Sequence, residues 1–574
     1  MATRKAVARK SEFADDFFLK PALSLQHQPA LKRLMEAVGD ATQRITLVLG
    51  AGVSLDAGLP DWPGLLEHLA DQITDPRWRD AAKADESDPL RKAEYLTRMV
   101  PETGSAVAEE AVRNSLYPSG DTRPRGNLAD AIARLAHCLD GRVNVVTTNF
   151  DGTYELALAK YDVGEPQQLT LEDFPKGKPT PLTGSARTVA HLHGLLLPNI
   201  QPRGPVILSE SSFLSHGPKV REIIRTLLVE SCVIFVGVSL TDPNLVGPLW
   251  ELHESKAAYR RPVLFVVAAG GPKKLEDAHT SRAYVLKRTE YLAQELKFDP
   301  IFLKSYAQLA QAFYELVVAV RHSQKYLDDS HGDDSIRYGD RLQRTLRSCY
   351  QHLGAEDFET PTGDAGVELS KRMHERLKHS EEGILPYLAQ AVKRVSKSKV
   401  REHQEAYEDY ESARLPEGLA LFLWLRSPVN DADDAFEYQL RLMGTSAYSH
   451  AESWSLDRVA EVSETSRHIA ARSAFSGQVA WQDISDSREW QLWRSCLAVP
   501  FRLQGACLDD HLPSGQAVDT LTVGVITLHS TRESIGGPSG PEQRSSLALL
   551  TVDELDRVKE LLAAIGQFLV SSEP

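Results

Sequence analysis

Residues Ile45-Thr46-Leu47-Val48-Leu49 form an apolar, β-branched run that stops abruptly at Gly50-Ala51-Gly52, and this junction constrains the chain more than any other stretch. Five such residues without alternation predict a strand buried on both faces, as at the centre of a parallel sheet. Gly50 and Gly52 carry no Cβ, so the backbone turns sharply and can approach a ligand, leaving its N–H groups to bind an anion. Ser54 adds a hydroxyl at the same mouth. Leu59-Pro60-Asp61-Trp62-Pro63 then fixes a rigid loop, with Asp61 placed to cap a helix that starts near Pro63 and runs through Leu65, Leu66, Leu69 and Ile73.

Further strand-like runs follow. Val143 to Thr147 ends in the polar Thr148-Asn149-Phe150-Asp151, ahead of a helix from Tyr154 to Lys160. The Pro-, Gly- and Thr-rich segment from Val163 to Thr188 reads as a loop. Thr188 to Gly194 reads as a short strand carrying His191 and His193, which two-residue spacing places on one side. Pro205 to Ser209 reads as another, and a helix from Lys219 to Glu230 leads into Cys232 to Ser239, whose polar end is Leu240-Thr241-Asp242-Pro243-Asn244. Pro262 to Ala269 and Pro300 to Leu303 complete the set. Helical spacing between Pro63 and Leu139 predicts a helical insertion after the first βα unit. Strands alternating with helices predict an α/β, doubly wound, Rossmann-like parallel sheet, with ligands beyond the carboxyl ends of its strands.

With 574 residues the chain exceeds one core, and the expected division is 1–325, 326–414 and 415–574. The acidic stretch Asp328 to Asp334 marks the first boundary. The cluster Lys393, Arg394, Lys397, Lys399 and Arg401 reads as a solvated helix face. Beyond residue 415 come strands at Leu421 to Leu425, Leu497 to Phe501 and Leu521 to Leu528. A final helix follows, with Thr551 and Glu554 as its capping box, so this part reads as an α+β domain. Five scattered cysteines, never paired as C-x-x-C, argue for reduced thiols and against a structural zinc. A net charge of −14 gives no global attraction to nucleic acid or anionic membranes. No apolar run reaches the roughly 20 residues of a membrane span. The basic start lacks a signal-peptide core, so a cytoplasmic protein is expected.

Gly50-Ala51-Gly52-x-Ser54, followed by Gly58-Leu59-Pro60-Asp61-Trp62, closely resembles the opening motif of the sirtuin-like NAD-binding family. Three more motifs follow in the family's order. Thr148-Asn149-Phe150-Asp151 resembles Gln-Asn-Ile-Asp, with Thr148 replacing the glutamine. His193-Gly194 resembles the catalytic His-Gly, and Gly237-Val238-Ser239 resembles Gly-Thr-Ser. The resemblance covers about residues 40 to 310. In the last domain, the runs 476–480, 494–500 and 523–528 resemble the motifs of a GAF domain.

The resemblance implies that His193 is the catalytic base and that Asn149 holds water and ribose. It implies that Gly50, Ala51, Gly52, Ser54, Asp61, Thr148, Asp151, Gly237, Ser239, Asp242 and Asn244 line the dinucleotide site. His191 competes with His193 for the base. Asp151 either contacts ligand or caps the following helix, and Asp242 and Asn244 either bind ribose or cap Pro243. Breaking the nicotinamide–ribose bond needs position and a base rather than a strong acid, because the leaving group is already cationic. Water as acceptor gives NAD hydrolysis; an acyl-lysine gives protein deacylation; a third outcome is an NAD- or ADP-ribose-binding sensor without turnover. Deacylases of this family carry a four-cysteine zinc module between the His-Gly and Gly-Thr-Ser motifs, and no cysteine stands between His193 and Cys232. Pro63 also replaces their usual arginine. Both departures imply a zinc-free hydrolase resembling bacterial anti-phage effectors, homo-oligomeric, with the GAF-like domain sensing an unidentified ligand or partner.

Overall fold

The computed structural model describes residues 28–103, 108–117, 127–161, 164–175, 181–198, 200–238, 240, 242–255, 259–267, 278–303, 306–328, 337–355, 363–402, 417–428, 438–447, 459–462, 466–484, 493–503, 522–532 and 545–571. The N-terminal arm, Ser239 and most of the acidic stretch 328–334 lie outside them, as do the side chains of the Lys393–Arg401 cluster. The chain forms two compact units, one from residues 1–330 and one from within 331–574.

The first unit is built on a parallel sheet. Its strands are β1 (Ile45–Leu49), β2 (Val143–Thr147), β3 (Gln167–Thr170), β4 (Thr188–His191), β5 (Cys232–Val236), β6 (Val263–Val267) and β7 (Asp299–Leu303), in the spatial order β3-β4-β2-β1-β5-β6-β7. β1 lies at the centre, with Ile45 opposite both Val143 and Cys232. All five residues of each of β1, β2 and β5 are buried, as their predominantly apolar composition predicts. The chain leaves β1 for β2 on one side and later returns to place β5 on the other. That reversal opens a crevice at the carboxyl ends of these strands, the place where doubly wound sheets take ligands.

The helical insertion after β1 has its own core. Leu65, Leu69, Leu96, Val112 and Leu116 pack together with Phe150 and Leu196, so the insertion rests on segments that leave β2 and β4. Burial of each such side chain contributes about 1.5–3 kcal/mol. Its first long helix, Trp62–Asp71, begins where the sequence predicts, because the Asp61 carboxylate accepts a 2.8 Å bond from the Gly64 amide.

Four local expectations are corrected. β3 lies inside the predicted loop; among the described residues Gln167-Gln168-Leu169-Thr170 pairs with β4 alone, at the sheet edge, and needs little apolar character. Residues 205–208 form no strand; the Ile207 amide instead donates to the His193 carbonyl at 3.0 Å. The next helix begins at Glu210 rather than Lys219 and runs to Glu230 through Pro218. The carbonyl that Pro218 leaves without a helical donor belongs to Leu214, which is 75% exposed and open to water. Finally, β4 ends at His191, so His193 stands in the turn beyond it and the two histidines do not share a strand face.

The second unit contains an antiparallel sheet. Its strands are β8 (Leu419–Pro428), β9 (Tyr438–Thr445), β10 (Val459–Glu461), β11 (Ala480–Asp483), β12 (Ser495–Phe501) and β13 (Gly524–Ser530), ordered β10-β9-β8-β13-β12-β11. The central strand β8 is buried on both faces from Ala420 to Ser427. Helices Gly363–Glu402 and Val552–Val570 pack on this sheet. A Cβ added at Gly444 of β9 would stand 2.6 Å from Met373 Cβ of the longer helix, so that helix lies directly on the strand. The Thr551–Glu554 capping box is present. Among the described residues no helix is long and apolar enough to cross a membrane.

Candidate active site

The turn after β1 interlocks with the turn after β5. Gly237 adopts φ +64°, and a Cβ on Gly50 or Gly52 would lie 2.6 Å from the Gly237 carbonyl oxygen or 2.7 Å from its Cα. The Gly50 amide donates to Val236 O and the Gly52 amide to Gly237 O, each at 2.9 Å. The sequence reading left these two N–H groups for an anion; the structure gives both to the neighbouring turn. The glycines are therefore required by close backbone packing, and Ala51 is the exposed residue between them.

Asn149 leaves the end of β2 and reaches back to this turn. Its Nδ2 donates to Gly50 O at 2.8 Å and to Ser54 Oγ at 2.7 Å. Ser54 in turn donates to Asp151 Oδ2 at 2.5 Å, and Asp151 Oδ1 accepts from the Thr153 amide at 2.9 Å. Asp151 thus satisfies the first amide of the helix Thr153–Leu158 from one residue before its N-cap, Gly152, and anchors Ser54 with the same carboxylate. With both Nδ2 protons committed, the Asn149 carboxamide presents its oxygen as the group left for a ligand. Thr148 turns back on β1, its amide donating to Leu49 O at 3.1 Å.

The two histidines separate cleanly. His191 is fully buried, with Nε2 2.8 Å from Glu155 Oε1 and Nδ1 3.3 Å from Asn149 O. A carboxylate and a carbonyl both accept, so the ring satisfies both only as an imidazolium. Burial lowers its pKa, but the Glu155 charge and hydrogen bond, the Asn149 carbonyl and the Asp151 charge together leave it raised. His193 is 3% exposed, and no hydrogen-bond partner reaches its Nε2 among the described residues. Burial pushes its pKa down to about 3, so the ring is neutral at physiological pH and holds an added proton only where a nearby negative charge stabilises it. Gly194, at φ +95°, lets the chain reverse immediately after it.

Two groups flank His193, and a third backs one of them. Asp242 Oδ2 is 3.6 Å from Nε2, inside ion-pair range but too long for a hydrogen bond. The Phe213 ring meets the imidazole edge-on at 5.2 Å, and Trp62 meets Phe213 edge-on at 6.5 Å. Burial raises the Asp242 carboxyl to about 6, only partly offset by the Asn244 amide bonded to its Oδ1 at 2.7 Å. That bond caps the helix Pro243–Glu254. Asn244 is 1% exposed; its Oδ1 accepts from Arg221, while its Nδ2 has no partner among the described residues. Leu240, in the turn that delivers Asp242, holds φ +55°, a conformation costing a side-chain-bearing residue about 1–2 kcal/mol.

Of the residues singled out from sequence, Asn149, Ser54, Asp151 and the Gly50 carbonyl form one hydrogen-bonded cluster, and His193 and Asp242 form a second arrangement at the same sheet edge. Asp61 stays exposed at its helix cap. Sequence reasoning missed Phe213 and Glu155. Phe213 sits in a segment whose serines and proline hid the helix, and Glu155 lies in the first turn of a helix with nothing local to mark it. Among the described residues, no three His, Cys, Asp or Glu side chains stand together as metal ligands.

A family model for a SIR2-like domain matches residues 143–295. The match takes in Asn149, Asp151, both histidines and Asp242, and starts after β1 and its glycine turn. No curated protein matches the chain. The parallel sheet and this match together support a sirtuin-like, Rossmann-like first unit.

Proposed function

We propose that the first unit hydrolyses NAD, releasing nicotinamide and ADP-ribose. The observation that carries this reading is a buried, neutral His193 with an unpartnered Nε2, at the sheet edge where Asn149 is anchored through Nδ2 and presents Oδ1. In the reaction the bond between ribose C1′ and the nicotinamide nitrogen breaks, and its electron pair neutralises the pyridinium. Water attacks C1′ while His193 Nε2 takes one of its protons, and the Asn149 oxygen orients the water by accepting a hydrogen bond from the O–H that stays on the product. Asp242, ionised above about pH 6, stabilises the imidazolium so formed. Ala51, Asp61, Thr148, Gly237, Ser239 and Asn244 are assigned to the dinucleotide frame, and Ser54 and Asp151 act through Asn149.

The test is release of free nicotinamide from NAD, with and without an acetylated peptide. Release without peptide is expected. Release only with peptide would make the unit a deacylase, and binding without release would make it a sensor. The absence of cysteine between His193 and Cys232, where deacylases of the resembling family hold zinc, favours hydrolysis.

Asp242 gives this reading a pH signature. Below about pH 6 its carboxyl is protonated and no longer supplies the negative charge that stabilises the imidazolium formed on His193. Turnover is therefore expected to fall on the acid side with a midpoint near 6, and Asp242→Asn to abolish that limb. The same substitution should stabilise the fold. The folded-state pKa lies above the ordinary value of 3.8, so burying the charge is a penalty, roughly 3 kcal/mol at neutral pH, relieved as pH falls through about 6. Asn also caps helices well. Thermal unfolding of Asp242→Asn is expected at a higher temperature than wild type at pH 8, with the gap closing towards pH 4; equal midpoints at pH 8 would refute the buried charge.

The proposal extends to a regulated anti-phage effector, with the second unit as a GAF-like sensor and an oligomer as the working form. Mass spectrometry of small molecules retained by the full chain, and its mass in solution, test these two parts.

A further inference from the structure

The Glu155–His191 pair has no task in the chemistry just described, yet both side chains are buried and the ring touches Asn149. His191 ends β4, Glu155 belongs to the helix Thr153–Leu158, and Asn149 lies in the connection between β2 and that helix. The ring bridges all three segments, from Glu155 Oε1 at 2.8 Å to the Asn149 carbonyl at 3.3 Å. Gln168 of β3 adds a 3.2 Å bond to the same Glu155 oxygen, while Oε2 has no partner among the described residues.

We propose that His191 and Glu155 are positioning residues: the imidazolium, held by the carboxylate, fixes the Asn149 peptide and so aims its carboxamide at the reacting centre. This rests on the NAD-cleavage reading. Asn149 is then clamped at both ends, by His191 through its backbone and by Gly50 O and Ser54 through its side chain. Stability alone is a poor reason for such a pair, because buried ion pairs are often no better than well-packed apolar groups of the same volume. Orientation is a sufficient reason, since small displacements of a reacting group cost large factors in rate.

Charge matters here because a neutral ring has one N–H for two acceptors. The ionisable groups around the pair are Asp151, which shares the loop with Asn149, and Tyr117 and Tyr154, both buried and with phenol pKa values pushed up chiefly by burial. Neither tyrosine supplies a negative charge at neutral pH. The His191 pKa is raised in the folded state, so its contribution is complete below about 6.5 and is lost as pH rises through the folded value.

The test uses the full chain with Glu155→Ala and Glu155→Gln. Glu155→Ala is expected to lower kcat for nicotinamide release on the order of 10²-fold with little change in KM. Glu155→Gln is expected to recover most of that loss, because a glutamine amide can donate to Nε2 and leave Nδ1–H on the Asn149 carbonyl. In ¹⁵N-histidine-labelled protein at neutral pH, His191 should carry protons on both ring nitrogens in wild type and on one in Glu155→Gln. A neutral His191 in wild type, or a Glu155→Ala variant that keeps its kcat and loses only thermal stability, would overturn the proposal. If wild type releases no nicotinamide, the hydrolysis reading fails by itself. The ring spectrum, with slow exchange of the Asn149 Nδ2 protons in wild type and fast exchange in Glu155→Ala, then decides whether the pair holds Asn149.

Discussion

Replacing His193 by alanine is expected to reduce nicotinamide release by about 10²–10⁴-fold and to leave the first unit folded. The side chain is nearly fully buried, but its Nε2 has no hydrogen-bond partner to lose among the described residues, and its carbonyl is held by the Ile207 amide whatever the side chain. What goes is the proton acceptor and an edge contact with Phe213. His191→Ala should differ by costing stability as well as rate. It removes hydrogen bonds to Glu155 and Asn149 and leaves a carboxylate that is 7% exposed without its counter-charge, a change costing about 3–5 kcal/mol. Thermal unfolding and nicotinamide release on both variants separate the roles. If His193→Ala unfolds the unit while His191→Ala merely slows it, the two assignments must be exchanged.

The two histidines also show how far the sequence could be read. The central strands were legible because β1, β2 and β5 are buried on both faces and therefore mostly apolar and β-branched. β3 was not, because an edge strand with one partner tolerates Gln167 and Gln168. Nor was the start of the helix at Glu210, since Pro218 reads as a boundary unless the exposure of Leu214 is known. In the site, motif spacing brought Asn149, His193 and Asp242 to one sheet edge. It could not tell His191 from His193, because that difference depends on β4 ending at His191 and on Glu155 approaching from another element. It also left the Gly50 and Gly52 amides free, when their acceptors lie almost two hundred residues away in the chain, on Val236 and Gly237.

That last contact predicts the largest effect on the fold. Gly237→Ala is expected to destabilise the first unit by roughly 3 kcal/mol or more and to abolish NAD binding, although the new methyl group need touch no ligand. Two costs add. A residue with a Cβ at φ +64° pays about 1–2 kcal/mol in backbone conformation. The new Cβ would also stand 2.8 Å from Val53 N and 2.9 Å from Gly52 Cα, both backbone atoms of the facing turn, so no side-chain rotation relieves the clash. Relief requires the turns after β1 and β5 to part, which breaks the bond from Gly52 N–H to Gly237 O and shifts the Gly50 carbonyl that anchors Asn149. Gly58→Ala is the control. Gly58 has φ +83°, but a Cβ there meets nothing within 4 Å, so only the conformational cost applies. Denaturant unfolding of the two variants should differ by at least the clash. Equal losses of stability, or a Gly237→Ala protein that binds NAD like wild type, would mean that the interlocked turns do not build the site.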